Sequence, residues 1–191
     1  MMTDASARAI LRFVWPGRSL AEYQAVQAIG RFEGNYGSAF AAANNWGASQ
    51  TGARADGSCP IGTTPTTDHD ASGHAYTACI FRFPTPQAGA LSLVRALTAP
   101  RRPRVGAALW SGDPFRIARA MSRSGYMAAK PELYAVAIER NASTIARALR
   151  EPLRIRRSSS SSSSSGIPLF VFLAAALEVL CLVSLARGGR A

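Results

Sequence analysis

Tyr23, Val26 and Ile29 recur at three-residue steps and Glu33 follows four residues later. On a helix this spacing puts the carboxyl on the same stripe as the apolar side chains. A carboxyl on that stripe loses water, and desolvation raises its pKa. The helix end, where Gly34 offers a left-handed stop, presents backbone carbonyls that push the same way. A carboxyl that keeps its proton near neutral pH can protonate a leaving oxygen, which is the acid step of glycoside hydrolysis. A surface Glu at a frayed helix end is the alternative reading of the same pattern.

Glycoside hydrolysis commonly uses a second carboxylate, and Asp56, Asp68 and Asp70 fall in the stretch that follows. A separation of about 5 Å from the acid implies retaining chemistry and about 6.5 to 9.5 Å inverting chemistry. Asp68-His-Asp70-Ala-Ser72-Gly73 imitates the first half of a calcium loop, but its twelfth position is Cys79 instead of the bidentate Glu such a loop requires. His69, His74 and Cys59 match no zinc spacing. No metal or other cofactor is expected, and there is no Ser-His-Asp or phosphate-cradling glycine motif.

The elements that must position these residues are readable in part. Ser19-Leu-Ala-Glu22 has capping-box spacing, so a helix begins near Leu20. Residues 35–77 are rich in Gly, Asn, Thr, Ser and Asp and read as loops with at most a short hairpin. Ala75 to Phe83 has the β-branched and aromatic content of a strand ending at Pro84. Helical patterns cover Gln87 to Leu97, Asp113 to Ser124 with Pro114 in its first turn, and Pro131 to Leu149. Arg101-Arg-Pro-Arg104 reads as a charged connector. Cys59 and Cys79 bracket a loop and can pair under oxidising conditions.

Residues 1–150 carry 17 Lys and Arg against 9 Asp and Glu, enough for one domain with a basic surface that favours a polyanion. Without aromatics interleaved in a basic patch, nucleic acid is the weaker partner, behind anionic lipid and the acidic polymers of a bacterial wall. Residues 151–166, with eight consecutive serines from Ser158 to Ser165, read as a flexible linker. Ile167 to Ala186 contains no Lys, Arg or Asp, and at about 1.5 Å per residue it is long enough to span a bilayer, leaving residues 187–191 as a short tail. The expected location is therefore a membrane, with lipid as one partner and Glu178 as a contact for another membrane helix.

Three blocks then carry a family resemblance. Glu33-Gly-Asn-Tyr-Gly37-Ser-Ala-Phe-Ala41 followed by Asn44-Asn45-Trp46-Gly47, then Phe81-Arg82-Phe83 with Pro86, then Gly125-Tyr126-Met-Ala-Ala-Lys-Pro131-Glu-Leu-Tyr134-Ala135 resemble, in order, the glucosaminidase family of peptidoglycan hydrolases, glycoside hydrolase family seventy-three. The resemblance spans about Leu20 to Leu149. It implies a mainly α, lysozyme-like helical domain over residues 1–150 with a small loop or β lobe, acting on peptidoglycan glycan strands.

The resemblance also implies Glu33 as general acid and Tyr134 as active-site tyrosine, with Asn45, Trp46, Gly47 and Tyr126 lining the sugar cleft. The second carboxylate would be a distal acid on a hairpin, Asp68 or Asp70. Gly34, Tyr36, Gln87-Ala88 and Ala129-Lys130 depart from the family pattern. Packing is the alternative role for Tyr126 and Tyr134, and capping the core that for Trp46. A lytic transglycosylase and a non-catalytic wall-binding or structural protein are the alternatives for the whole chain. Arginines precede the apolar segment and the N-terminus lacks a signal-like run, so a wall-cutting domain would need delivery, as by a phage lysis or wall-penetration protein.

Overall fold

The computed structural model describes residues 2–38, 44–69, 72–127 and 130–155, all within the unit Met1–Ser158. Among them are six helices, α1 (Asp4–Val14), α2 (Leu20–Gly34), α3 (Pro86–Thr98), α4 (Pro103–Ser111), α5 (Pro114–Arg123) and α6 (Pro131–Ala148). Three strands, β1 (Gln50–Gly52), β2 (Thr63–His69) and β3 (Ala75–Phe81), form one antiparallel sheet in the order β1-β3-β2. The chain is mainly helical, as expected. Sequence periodicity missed α1 and α4, and β2 is a longer strand than the loop-rich composition suggested.

The central helix is α2. Its N-terminus carries the expected capping box: Ser19 Oγ accepts from the Glu22 amide at 3.2 Å while Glu22 Oε2 accepts from the Ser19 amide at 2.9 Å. Every residue from Glu22 to Gly30 is buried, because α1, α3, α4 and α6 all pack on α2. The apolar stripe of Tyr23, Val26 and Ile29 is thus one side of a helix enclosed all round, with Ala25, Ala28 and Gly30 letting neighbours come close.

Enclosure leaves two amides and an arginine needing partners, and they tie the helices together. Gln27 Oε1 accepts from Arg8 Nε at 2.7 Å, and Gln27 Nε2 donates to the Asp4 carbonyl at 2.8 Å. Gln24 donates to the Pro152 carbonyl at 2.9 Å and accepts from the Arg154 amide at 2.7 Å. Glu151 meets the buried Arg8 at 2.5 Å, and Ile155 joins the core at 3% exposure. The expected boundary at residue 150 is therefore corrected. Glu151–Ile155 are not linker: buried polar groups of α1 and α2 require the hydrogen bonds this segment supplies.

The sheet forms a lobe with little core of its own. Ala78, Cys79 and Ile80 are buried in it, apart from the helical core. A Cys59–Cys79 disulfide, Cα–Cα 5.5 Å, fastens the preceding loop to the middle of β3. Closing a loop of this length contributes about 3 kcal/mol, compensating for the thin core.

The expected membrane location is corrected as well. No helix among the described residues is long and apolar enough to cross a membrane. Ile167 to Ala186, with Glu178, lies outside the described residues, as do Ser158 to Ser165.

Removing Glu151 strands a guanidinium that is nearly inaccessible to water. Glu151→Ala is expected to cost about 3 kcal/mol and to lower Tm by about 6 to 12 °C for a domain of this size. Thermal unfolding followed by circular dichroism would show it, and an unchanged Tm would mean that the C-terminal segment does not hold α1.

Candidate functional site

Glu33 stands at the last turn of α2, half-buried, where the helix leaves the core. The chain turns immediately afterwards through three successive positive φ values, Asn35 at 44°, Tyr36 at 58° and Gly37 at 84°. Tyr36 is a bulky residue in a left-handed conformation, which costs of order 1 kcal/mol or more. Its anchoring offsets that cost. The hydroxyl donates to Asp4 Oδ1 at 2.7 Å and accepts from Gln27 at 3.3 Å, and the ring packs 5.1 Å from Trp46. At Gly37 a Cβ would stand 2.5 Å from the Asn44 backbone, so this turn requires glycine.

The Glu33 carboxyl is met by α6. The Tyr134 hydroxyl donates to Glu33 Oε1, and the Tyr134 ring lies edge-on to Phe32 at 5.0 Å and 88°. Burial raises the Glu33 pKa, and the Tyr134 hydrogen bond opposes the shift without cancelling it. Burial and the nearby Glu33 raise both Tyr134 and Tyr126, so these phenols hold their protons. Tyr134 occupies Oε1, so a proton on the carboxyl would sit on Oε2.

A cleft of about 600 Å³ opens here. Its helical side carries Phe32, Glu33, Tyr126, Tyr134, Arg101 and Arg102, and its strand side carries Gln50, Asp68 and Tyr76. Asp68 Oδ2 accepts from the Tyr76 hydroxyl at 3.0 Å and from Gln50 at 3.1 Å. The sheet register explains this meeting, since Asp68 on β2 is directly opposite Tyr76 on β3. The loop at Gly47 closes one end. The Tyr126 hydroxyl lies 3.5 Å from the Gly47 carbonyl, and a methyl group at Gly47 would come within 3.0 Å of it.

Of the residues the family resemblance singled out, Glu33, Tyr134, Tyr126, Gly47 and Asp68 share this cleft. Asn45 and Trp46 do not line it. Trp46 is fully buried, packed under Gly30 and Gly89, so no face of its ring can stack on a sugar. Gly89 is indispensable to that packing, because a Cβ there would fall 1.7 Å from the Asn44 carbonyl oxygen. Asn45 braces the loop: Nδ2 donates to the Ser49 and Phe81 carbonyls at 2.7 and 3.0 Å, and Oδ1 accepts from the Ser49 amide at 2.9 Å. Both residues shape the cleft from behind.

Asp56 lies away from the cleft, fully exposed, with its carboxylate held below the usual range by the Ser58 hydrogen bonds. Asp70 lies outside the described residues. Among the described residues no group of three or more His, Cys, Asp or Glu is placed to hold a metal ion.

Sequence reasoning passed over Arg102, Gln50 and Tyr76. The Arg102 guanidinium lies 5.3 Å from the centre of the Tyr126 ring and donates from Nη1 to the Ala96 carbonyl at 2.7 Å. The run of arginines was visible, but nothing in it distinguishes a cleft wall from a solvated connector. Gln50 on β1 and Tyr76 on β3 belong to a sheet whose register only the folded structure reveals.

A raised carboxyl pKa has a stability consequence whose sign can be worked out. Below the ordinary value of 4.5, Glu33 is protonated both folded and unfolded, and its ionisation changes nothing. Above it the unfolded chain ionises while the folded one resists, so stability falls until pH passes the folded value. Glu33→Gln removes that loss. The variant's Tm relative to the parent is expected to climb between pH 4.5 and neutrality, and a pH-independent difference would show that the carboxyl is not desolvated.

No family model, curated protein or solved structure matches the chain, so the cleft's own residues must carry any reading of its function.

Proposed function

We propose that the chain is a lysozyme-like glycosidase that cuts the β-1,4 glycan backbone of peptidoglycan, with the specificity of an endo-β-N-acetylglucosaminidase. The observation that carries this reading is Glu33, a desolvated carboxyl at the wall of an open cleft, hydrogen-bonded by Tyr134 and holding its proton above the usual range. The bond cut and the substrate class rest on the sequence resemblance alone; the cleft supports the acid step, with Glu33, Tyr126 and Tyr134 lining it together.

In this reaction Glu33 gives its proton to the bridging oxygen as the bond from that oxygen to the anomeric carbon breaks. Tyr134 fixes the carboxyl's rotamer and leaves Oε2 to face the leaving oxygen. In this reading Asp68, held by Tyr76 and Gln50 on the strand side, serves as the second carboxylate and stabilises the positive charge that develops at the anomeric carbon. Water completes hydrolysis and the proton returns to Glu33. A substrate whose own acetamido oxygen closes on the anomeric carbon would make Asp68 dispensable.

A lytic transglycosylase draws on one feature of the same cleft: among the described residues Glu33 is the only acid lining its helical side, and it would then act as both acid and base. The products separate the two. Digestion of purified peptidoglycan is expected to release new reducing N-acetylglucosamine ends, whereas anhydro-muramic ends would establish the transglycosylase. Wall binding with no soluble fragments would refute both.

Glu33→Gln is expected to slow wall clearing at least about 100-fold, the usual loss on removing a general acid. Retention of full activity would remove Glu33 from the mechanism. Tyr134→Phe takes away the hydrogen bond that lowers the Glu33 pKa. The alkaline limb of its pH–rate profile should therefore move to higher pH while total activity drops. A limb that stays in place would assign that ionisation to another group.

A further inference from the structure

The helical body carries a second recess, distinct in its chemistry from the cleft. It is a groove of about 400 Å³ lined by Arg104, Ala107, Ala108 and Ser111 of α4 and by Arg116, Arg119, Ala120 and Arg123 of α5. All four arginines are exposed. Among the described residues no acid lines the groove, and of its arginines only Arg116 has an ion-pair partner, Asp113 at 3.7 Å. Among the described residues Arg104, Arg119 and Arg123 form no ion pair.

The row follows from helix geometry. Positions 116, 119 and 123 are three and four residues apart, so they share one face of α5 at steps of about 4.5 and 6 Å. Gly112 and Asp113 turn the chain between α4 and α5, bringing Arg104 and Ser111 to the same recess. Like charges at these spacings repel and weaken the free helix. A ligand with anionic groups at matching intervals would reverse that repulsion, and guanidinium forks suit phosphate oxygens in particular.

We propose that this groove binds a linear polyol-phosphate polymer, seating successive phosphodiesters on Arg116, Arg119, Arg123 and Arg104. The apolar lining consists of alanines, with no aromatic face to stack a base, which disfavours single-stranded nucleic acid. Nor does a bulky apolar side chain project from the recess to enter a bilayer; Trp110, 73% exposed on α4, is not part of the lining. The groove and the cleft are joined by a single connector, with Arg101 and Arg102 lining the cleft and Arg104 the groove. A wall polymer held here would keep the domain at its surface whether or not the cleft is a glycosidase.

The test uses lipid-free poly(glycerol phosphate) and titration calorimetry on the full chain. Arg119→Gln combined with Arg123→Gln is expected to weaken binding at least about 10-fold and to reduce the salt slope by about 1.4, two phosphate contacts at about 0.7 each. Arg119→Lys with Arg123→Lys keeps the charge but not the fork and should recover only part of the lost affinity, and equal Tm values show that folding is not the cause. The control is Arg140→Gln with Arg147→Gln, exposed positions on α6 that remove the same charge. An equal loss in the control would overturn the proposal in favour of diffuse attraction. Single-stranded DNA, duplex DNA or phosphatidylglycerol vesicles binding as tightly, with the same dependence on Arg119 and Arg123, would overturn the polymer assignment.

Discussion

A carboxyl can remain at the rim of a helical core only if its proton, or its charge, is accounted for, and the hydrogen bond from Tyr134 to Glu33 does that accounting here. Charging Glu33 where burial removes much of its water is costly. The phenol reduces that cost without removing it, so the carboxyl keeps its proton at higher pH than a free Glu would. The bond also joins the ends of two helices remote in sequence, α2 and α6, so the acid's geometry depends on how the whole helical body packs. Phe32 shields the pair by meeting the Tyr134 ring edge-on.

That packing is fixed by close approach as much as by bulk. Trp46 fits under α2 and α3 because Gly30 and Gly89 present no side chain to it. Its burial sets the loop from Asn45 to Ser49, and with it Gly47 and Ala48 on the cleft wall. On the far side of α2, Gln24 and Gln27 exchange hydrogen bonds with α1 and with the segment after α6. A buried amide satisfied in this way specifies one docking geometry, since any slide of α1 would leave polar groups unpaired. The indole Nε1 of Trp46, Nη2 of Arg8 and Nε of Arg102 find no partner among the described residues, and we have no physical account of these three exceptions.

Local chemistry made some of this legible. The capping box at Ser19 and Glu22, the prolines that open α3, α5 and α6, and the alternation of β-branched and aromatic residues in β3 each act within a few residues, and each located an element closely. Glu33 stood out because a charged residue on an apolar stripe is itself a local signal. What sequence could not convey was enclosure. Once helices cover α2 on all sides, the glutamines at 24 and 27 become brackets instead of surface residues, and Trp46 becomes core instead of a sugar platform. The short helix α1 was obscured because Arg8 occupies a buried position that periodicity counts as polar. Residues 151–155, Glu-Pro-Leu-Arg-Ile, are too few to show a periodicity, and their role depends on partners in α1 and α2.

The two sides of the cleft are stabilised by different means, and this bears on how a reaction there could be divided. Glu33 stands half-buried where the helical core ends, its conformation fixed by Tyr134, Phe32 and the turn at residues 35–37. Asp68, buried to a similar degree, belongs to a thin lobe held by a disulfide and by hydrogen bonds from Tyr76 and Gln50. A proton donor gains from the first setting, where desolvation keeps its proton in place. A carboxylate that stabilises transient positive charge gains from the second, where hydrogen-bond donors surround it. In the proposed reaction this difference suits the helical side to the proton and the strand side to the developing charge.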